Sequence, residues 1–599
     1  MTALLAVAAV TLGTLGLGAW GVRFVRTTSD LLVASRAVSA WWNAAAISGE
    51  YLSAASFLGI AGLELAVGAS ALWQALGFTA GYLALLLFVA APLRRFGSYT
   101  IPDFAEARLR SPGLRLLAAA TVLVIDGFYL LPQLKGAGLA LGVVTGASYW
   151  VGVAVVAAIV AINVAIGGMR GITYVQAFQF WVKLTAISLP VIVLLIHFGG
   201  LPGRATLFGS QLPRAGAHGL AVRLNAPQRV VFPAAGSLLV AGRVVRVRAG
   251  GQLTLPRGLV RLPPHGIVPV AGGQGILAAA GARWSEPVAG SGQAAPLLVY
   301  SLLIATFLGT MGLPHILVRF YTNPDGHAAR RTTVRVLTLL GLFYVFPGFY
   351  GALGRVLTPQ LYLTGQTDDV VLRVPGAAWP GPVGAGLGAL VAAGAFAAFL
   401  STSSGLLVSM AGTISHDVWP RLSRQRAAGV AIRRRRFRLA AAGAMVIPAL
   451  LALAAQRIDI AILVGWAFAI AASTFCPMFL LGIWWTRLTA RGASAGMLAG
   501  MLLATSMIFA GLVLGEPASP VGALLAQPAV VSVPVAFVVM VAVSLAQRTV
   551  PDATPEMLAL HAPEGLGLRL AEGEGEGLGE EPRAPSIVAT APAWRREDR

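Results

Sequence analysis

Three ionisable side chains, Asp126, Lys135 and Lys183, lie inside long apolar stretches of this sequence. A charge at such a position is expensive, so each is a site candidate until a partner accounts for it. Asp126 and Lys135 are nine residues apart, about 900° around a helix, which sets them on opposite faces with no reason to pair. Lys135, in Gln133-Leu-Lys-Gly-Ala-Gly138, reads either as a counter-ion for a carboxylate substrate or as a lysine that reaches the outer interface along its methylene stem or is satisfied by a helix-end carbonyl. Lys183 lies two turns after Gln176 on the same face and is expected to form a structural tie there. His315 follows Pro314 at an expected helix break and reads as a packing or capping residue rather than a proton relay.

A repeated pattern forms a second constellation. Ser56-Phe-Leu-Gly-Ile-Ala-Gly62 and Thr306-Phe-Leu-Gly-Thr-Met-Gly312 share the form hydroxyl-Phe-Leu-Gly-x-x-Gly. In secondary transporters, Gly-interrupted apolar segments in matching halves point to broken helices at the binding site. Unwinding frees carbonyl oxygens and exposes two half-helix ends, whose dipoles can hold a cation and an anionic group side by side. Unpaired backbone at that depth is tolerated only where it lines a cavity. The site is therefore expected near mid-membrane between these two segments. Gly77 with Gly81 and Gly496 with Gly500 are expected to serve close helix packing instead.

The elements that must position these residues are membrane helices. Of 599 residues, 57% are hydrophobic and 11% charged, with a mean hydropathy of +0.77. Less than half the usual charge excludes an ordinary soluble protein. An excess of 44 Lys and Arg over 23 Asp and Glu, +21 net, would suggest nucleic acid in a soluble chain. Here the basic residues sit between apolar runs, so the charge reads as topology and no nucleic-acid partner is expected. The single cysteine, Cys476, excludes a disulfide framework and a cysteine-based zinc site.

Windows of about 19 residues give about thirteen spans, near 1–20, 41–63, 71–92, 116–146, 150–168, 172–198, 297–320, 335–357, 382–417, 439–456, 459–486, 493–514 and 528–546. No basic residue precedes the first, which reads as a retained helix rather than a signal peptide. One set of alternate loops holds Arg23, Arg26 and Arg36, then Arg94, Arg95, Arg108, Arg110 and Arg115, then Arg170, then Arg330, Arg331 and Arg335, then Arg433 to Arg436, and last Arg487 and Arg491; the short loops opposite hold only Arg355, Arg373 and Arg457. The richer side is the cytoplasmic one. This predicts a multi-pass protein of the inner (plasma) membrane, N-terminus outside and C-terminus cytoplasmic, with the lipid bilayer as its surroundings. Residues 1–40 are an extra helix and its loop, 41–198 and 297–486 two sets of five helices, and 487–546 two further helices. Residues 199–296 form a long extracellular loop with a small β element at Arg243-Val-Val-Arg-Val-Arg248 and Gln252-Leu-Thr-Leu255. The tail, 547–599, has the composition of a disordered cytoplasmic end.

Seven stretches occur together and in order: Gly49-Glu-Tyr-Leu-Ser-Ala-Ala-Ser-Phe-Leu-Gly59, Ile101-Pro-Asp-Phe104, Gly168-Met-Arg-Gly171, Tyr174-Val-Gln-Ala-Phe-Gln179, Gly312-Leu-Pro-His-Ile-Leu-Val-Arg-Phe-Tyr321, Ala398-Phe-Leu-Ser-Thr402 and Ser415-His-Asp417. The set resembles the sodium/solute symporters, and within them the cation/acetate and other monocarboxylate permeases. The resemblance implies an all-α polytopic membrane protein of the leucine-transporter type, a 5+5 inverted repeat with about thirteen transmembrane helices, and uptake with Na+ as the coupling ion. It also implies a sodium site between the second and ninth spans, at the carbonyls of Gly49, Leu52 and Ala398 and the hydroxyls of Ser401 and Thr402. Three carbonyls and two hydroxyls carry no formal charge, which suits a monovalent ion that must leave in each cycle. From the residues alone, Ser401 and Thr402 bonding to carbonyls one turn earlier is an equal reading. Some relatives add an aspartate from the fifth core helix; the matching position here is Gln176.

These readings converge on a transporter, not an enzyme: a sodium-coupled importer of a small organic anion such as acetate, propionate or pyruvate, working by alternating access. Substrate is expected near Ser53, Ser56, Gly309 and Thr310, with Lys135 as counter-ion. No obligate protein partner is evident. Proline, a sugar or another small solute is the alternative within the same fold, because substrate choice rests on a few pocket side chains. A transporter-like sensor would need a signalling domain after the last span, where about fifty residues of low complexity follow.

Overall fold

The computed structural model describes residues 1–21, 38–197, 212–271, 284–288, 294–422, 430–514, 519–547, 552–562, 568–570 and 587–589. Helix α1 (Thr2–Gly21) precedes a first half made of α2 (Ala40–Tyr51), α3 (Ile60–Val67), α4 (Leu72–Phe88), α5 (Ile101–Leu109), α6 (Pro112–Thr145) and α7 (Tyr149–His197). Side chains set the starts of two of these. The hydroxyl of Thr100 accepts from the Asp103 N–H at the head of α5, and Ser111 accepts from Leu114 at the head of α6, each with proline in the first turn. Helix α7 runs for 49 residues, more than twice what a hydrocarbon core needs, and contains two candidate spans, Tyr149–Ile166 and Gly171–His197.

Between the halves, among the described residues, lie seven short strands: β1 (Leu220–Leu224), β2 (Gln228–Val231), β3 (Gly236–Val240), β4 (Arg243–Val247), β5 (Gln252–Leu255), β6 (Gly258–Leu262) and β7 (Val270–Ala271). They form one sheet of order β1-β6-β3-β4 and another of order β5-β2-β7. The alternating Arg243 stretch pairs back onto β3 through a two-residue turn at Ala241 and Gly242, both at positive φ. The Gln252 stretch pairs with β2.

The second half comprises α8 (Ala294–Thr310), α9 (Pro314–Phe320), α10 (Gly326–Tyr344), α11 (Pro347–Leu357), α12 (Pro382–Gly412), α13 (Val430–Ala454) and α14 (Ile460–Trp484), followed by α15 (Ala490–Leu514) and α16 (Ala529–Leu545). Helix α12 packs against α6, α7 and α2, and is buried without interruption from Val391 to Gly412. Helix α14 packs against α8 and α6. The side chains facing away from this core are apolar, Leu76, Leu83 and Leu87 on α4 and Ile447, Leu450 and Leu451 on α13 among them, as a lipid-facing surface requires.

Among the described residues, eleven helices are long and apolar enough to cross a membrane, or twelve with the bent pair Pro520–Ala526 and Ala529–Leu545. The difference from about thirteen arises at the second span. Helix α2 has only 12 residues, too short alone, while Ala55–Phe88 counts as one stretch. That stretch is two helices, for α3 packs against α11 and α4 against α8, and Gly68 between them sits at φ +77°, a conformation glycine adopts without strain. Close approach of α4 to α8 depends on Gly81, where a Cβ would stand 2.6 Å from the Thr310 hydroxyl.

The tail departs from the expected disorder within its described part. Helix α17 (Thr554–His561) docks through Glu556, buried and 2.8 Å from Arg110, and through His561, 2.8 Å from the Ile483 carbonyl. An apolar face and one charge partner outweigh the low complexity that follows. The acidic run at Glu572 lies outside the described residues.

Candidate functional site

Both segments that carry the repeated motif are interrupted helices. In the first half the break is Leu52 to Ala54, between α2 and a π-helical turn, Ala55–Gly59, that leads into α3. In the second half it is Met311 to Leu313, between α8 and α9. The motif therefore found the right pair of helices: the first break lies just before Ser56, around Ser53, and the second falls at Gly312. Ser56-Phe-Leu-Gly59 itself is wound as a π-helix, a form often met at functional sites.

At the first break the carbonyl of Gly49 meets α12. The Ser401 hydroxyl lies 2.7 Å from the Gly49 oxygen and 3.2 Å from that of Ala398. Thr402 donates to the Glu50 carbonyl at 2.5 Å. The side chain that reaches into this group is Lys183, from α7. Its ammonium donates to the Gly49 carbonyl, to the Leu52 carbonyl at 2.8 Å and to the Ser401 hydroxyl at 2.6 Å. The expected tie from Lys183 to Gln176 is not made, because Gln176 is taken: its carbonyl oxygen accepts from Arg319 and its amide donates to the Ser401 carbonyl at 2.8 Å.

Arg319 is the residue sequence reasoning passed over. It bonds the Glu50 carboxylate at 2.5 Å, the Thr173 hydroxyl at 2.8 Å and Gln176, so that α9, α2 and α7 are joined beside the cage. Both Glu50 and Arg319 lie in apolar surroundings within the motifs quoted above, and a fuller inventory of intramembrane charge would have found them. Asp126, likewise, is matched by His315, whose Nδ1 is 3.0 Å from its Oδ1.

The expected substrate residues gather near the same break, with one exception. Ser53 is 3.4 Å from the Tyr129 hydroxyl, Ser56 is 2.9 Å from Tyr344, and Thr310 is 2.9 Å from Tyr51. Gly309 lies against the backbone of Phe468, where a Cβ would be 2.5 Å from the carbonyl oxygen. Phe78, Tyr82 and Phe468 pack around Tyr51. Gln133 closes the end of the half-helix, its side-chain oxygen accepting the Ala54 N–H at 2.8 Å. Lys135 does not join this group. Its ammonium is 2.8 Å from Asp368 and 2.5 Å from the Ile458 carbonyl, because a carboxylate in the segment before α12 offers a stronger partner than the hydroxyls around Ser53.

Charged groups close both ends of the bundle. At one end Asp368 holds Lys135 and accepts the Ile460 N–H at 3.2 Å, joining α6 to the start of α14. At the other, the Ile101-Pro-Asp-Phe104 and Ser415-His-Asp417 stretches meet. Arg115 contacts Asp103, Glu106 and Asp417, and His416 is 3.1 Å from Asp103. Burial alone would raise the Asp103 carboxyl, but His416 and Arg115 outweigh it and hold it at about 2. Asp103, His416 and Asp417 stand close enough to share a metal ion. The guanidinium of Arg115 already supplies the positive charge there.

A sequence profile described as "Sodium:solute symporter family" matches residues 31–220 and 278–500. The chain is 29% identical over 547 residues to the uncharacterized symporter YwcA of Bacillus subtilis (strain 168), covering 90% of this chain and 93% of that one. Among solved structures, a Na+-coupled sialic acid symporter in a substrate-bound outward-open state superposes with a TM-score of 0.66 at 15% identity, over 92% of this chain and 99% of that one. MHP1, a nucleobase-cation-symport-1 family transporter, gives 0.48 at 12% identity, over 89% and 99%. The first likeness establishes the fold: a mostly helical membrane protein with a 5+5 inverted repeat of the leucine-transporter type.

Proposed function

The chain belongs to the sodium:solute symporter family, whose members are multi-pass, sodium-coupled carriers of small solutes and not enzymes, and from that premise we propose that it imports a small monocarboxylate such as acetate, propionate or pyruvate by alternating access. Na+ is the coupling ion, and its ligands are the carbonyls of Gly49, Leu52 and Ala398 with the hydroxyls of Ser401 and Thr402. The solute lies beside them, against Ser53, Ser56, Gly309 and Thr310.

One observation supports a carboxylate there. Around the break that precedes Ala55 stand the hydroxyls of Ser53, Ser56, Tyr51, Tyr129, Tyr344 and Thr310, and the neighbouring carboxylates, Glu50 and Asp126, are committed to Arg319 and His315. An anion gains several donors. A cationic solute gains no counter-charge. With Lys135 held by Asp368, the lysine acts in this reading on the closing of one end rather than on the substrate's charge.

The test is uptake into proteoliposomes of labelled acetate, propionate, pyruvate, proline and glucose, with and without an inward sodium gradient. Sodium-stimulated uptake of a monocarboxylate, and of neither proline nor glucose, is expected. Uptake confined to proline or glucose would overturn the substrate reading and leave the family intact.

A further inference from the structure

Lys183 is the buried charge that the reading above leaves without a function. An ammonium carries three donors, and three acceptors surround this one: the Gly49 carbonyl, the Leu52 carbonyl at 2.8 Å and the Ser401 hydroxyl at 2.6 Å. None is charged. Glu50, in the same turn of α2, is committed to Arg319, and α12 has no ionisable residue from Pro382 to Gly412. Lys183 is fully buried, so its cation is held as a bare monovalent ion would be, by neutral oxygens from α2 and α12. Those oxygens belong to three of the five residues named for sodium.

We infer that Lys183 is an intramolecular competitor of the coupling sodium. Its ammonium and Na+ are alternative occupants of the cage between α2 and α12, and sodium enters only when the side chain leaves. Two unit charges cannot share one small set of neutral oxygens, since their repulsion is strong wherever water is excluded. While Lys183 is in place it joins α7 to the broken end of α2 and to α12, the same elements that a bound ion would draw together. The lysine thus sets how tightly the protein takes sodium. This inference rests on the sodium reading for the identity of the ion, and on the hydrogen bonds of Lys183 for the competition.

Equilibrium binding of radioactive sodium to the purified full-length protein in detergent tests it without knowledge of the solute. Lys183→Ala is expected to reach half-saturation at about tenfold lower sodium or less, a gain of about 1.4 kcal/mol, and Ser401→Ala added to it should remove the gain. Should the alanine variant be poorly folded, Lys183→Gln, which discards the charge and retains donors, is read in the same way. Sodium-induced thermal stabilisation, which grows with affinity, should likewise be larger in either variant than in the parent. Equal or weaker sodium binding by a folded variant would overturn the proposal. If the parent's uptake ignores sodium while Lys183→Ala binds it, the competition stands and the sodium-coupled reading fails; if uptake requires sodium and the variant gains nothing, the reverse holds.

Discussion

Arg319 and Glu50 meet at 2.5 Å with both side chains buried, one on the helix after the second break and the other on the helix before the first. The two broken helices are thereby tied to each other beside the cage. Removing one member leaves an unpaired buried charge, which in soluble proteins costs about 3–5 kcal/mol. Arg319→Met and Glu50→Gln should each lower the apparent Tm of the detergent-solubilised protein markedly. The double variant should lose less than the sum of the two. Additive losses would mean that the residues act independently.

Ser401 and Thr402 are distinguishable. The Ser401 oxygen accepts from Lys183 and lies between two carbonyls, whereas Thr402 donates to the Glu50 carbonyl. Ser401→Ala should raise the sodium concentration for half-maximal uptake about tenfold, the scale of one lost ligand oxygen. Thr402→Ala should do so less. Sodium titrations of uptake that rank the two in the opposite order would move the ion toward Thr402.

Lys135 and Asp368 close one end of the bundle. Lys135→Asp and Asp368→Lys should each reduce uptake, because each sets like charges face to face. The exchanged pair should recover part of it. Recovery distinguishes a gate from a counter-ion, since a lysine needed by the substrate would not be replaced by one in the segment before α12.

Orientation rests on the arginine asymmetry. Ala217 beside β1 and Ala431 at the head of α13 are both exposed. With Cys476 replaced, a single cysteine at Ala217 should react with a membrane-impermeant maleimide from outside intact cells, and one at Ala431 only after permeabilisation. The opposite pattern would invert the topology.

Asp459, at the head of α14, provides a pH test. Burial raises its carboxyl from the ordinary 3.8 to about 7, with Asp368 adding to the rise and Lys135 opposing it. The folded protein therefore keeps a proton that the unfolded chain releases, and stability falls as pH rises from the ordinary value toward about 7. Asp459→Asn should flatten that fall and raise the Tm by a few degrees above about pH 7. An unchanged pH profile of thermal denaturation would show that the carboxyl ionises freely in the folded state.

What the sequence determined by itself was whatever depends on length, periodicity and short motifs. Runs of apolar residues placed the helices, because a hydrocarbon core selects on about 20 residues of composition and on little else. The hydroxyl-Phe-Leu-Gly motif identified the two helices that break, and the family stretches brought Gly49, Leu52 and Ser401 to one locus. The tertiary structure alone decided which charge meets which. Lys183 and Gly49 are 134 positions apart, Arg319 and Glu50 are 269, and Lys135 and Asp368 are 233. No local pattern encodes such pairings, since they follow from how α7 and α12 pack around the break. The bounds of the breaks were decided in the same way: a helix unwinds where neighbouring groups can take up its freed carbonyls and N–H groups, as Lys183 does at Leu52 and Gln133 at Ala54.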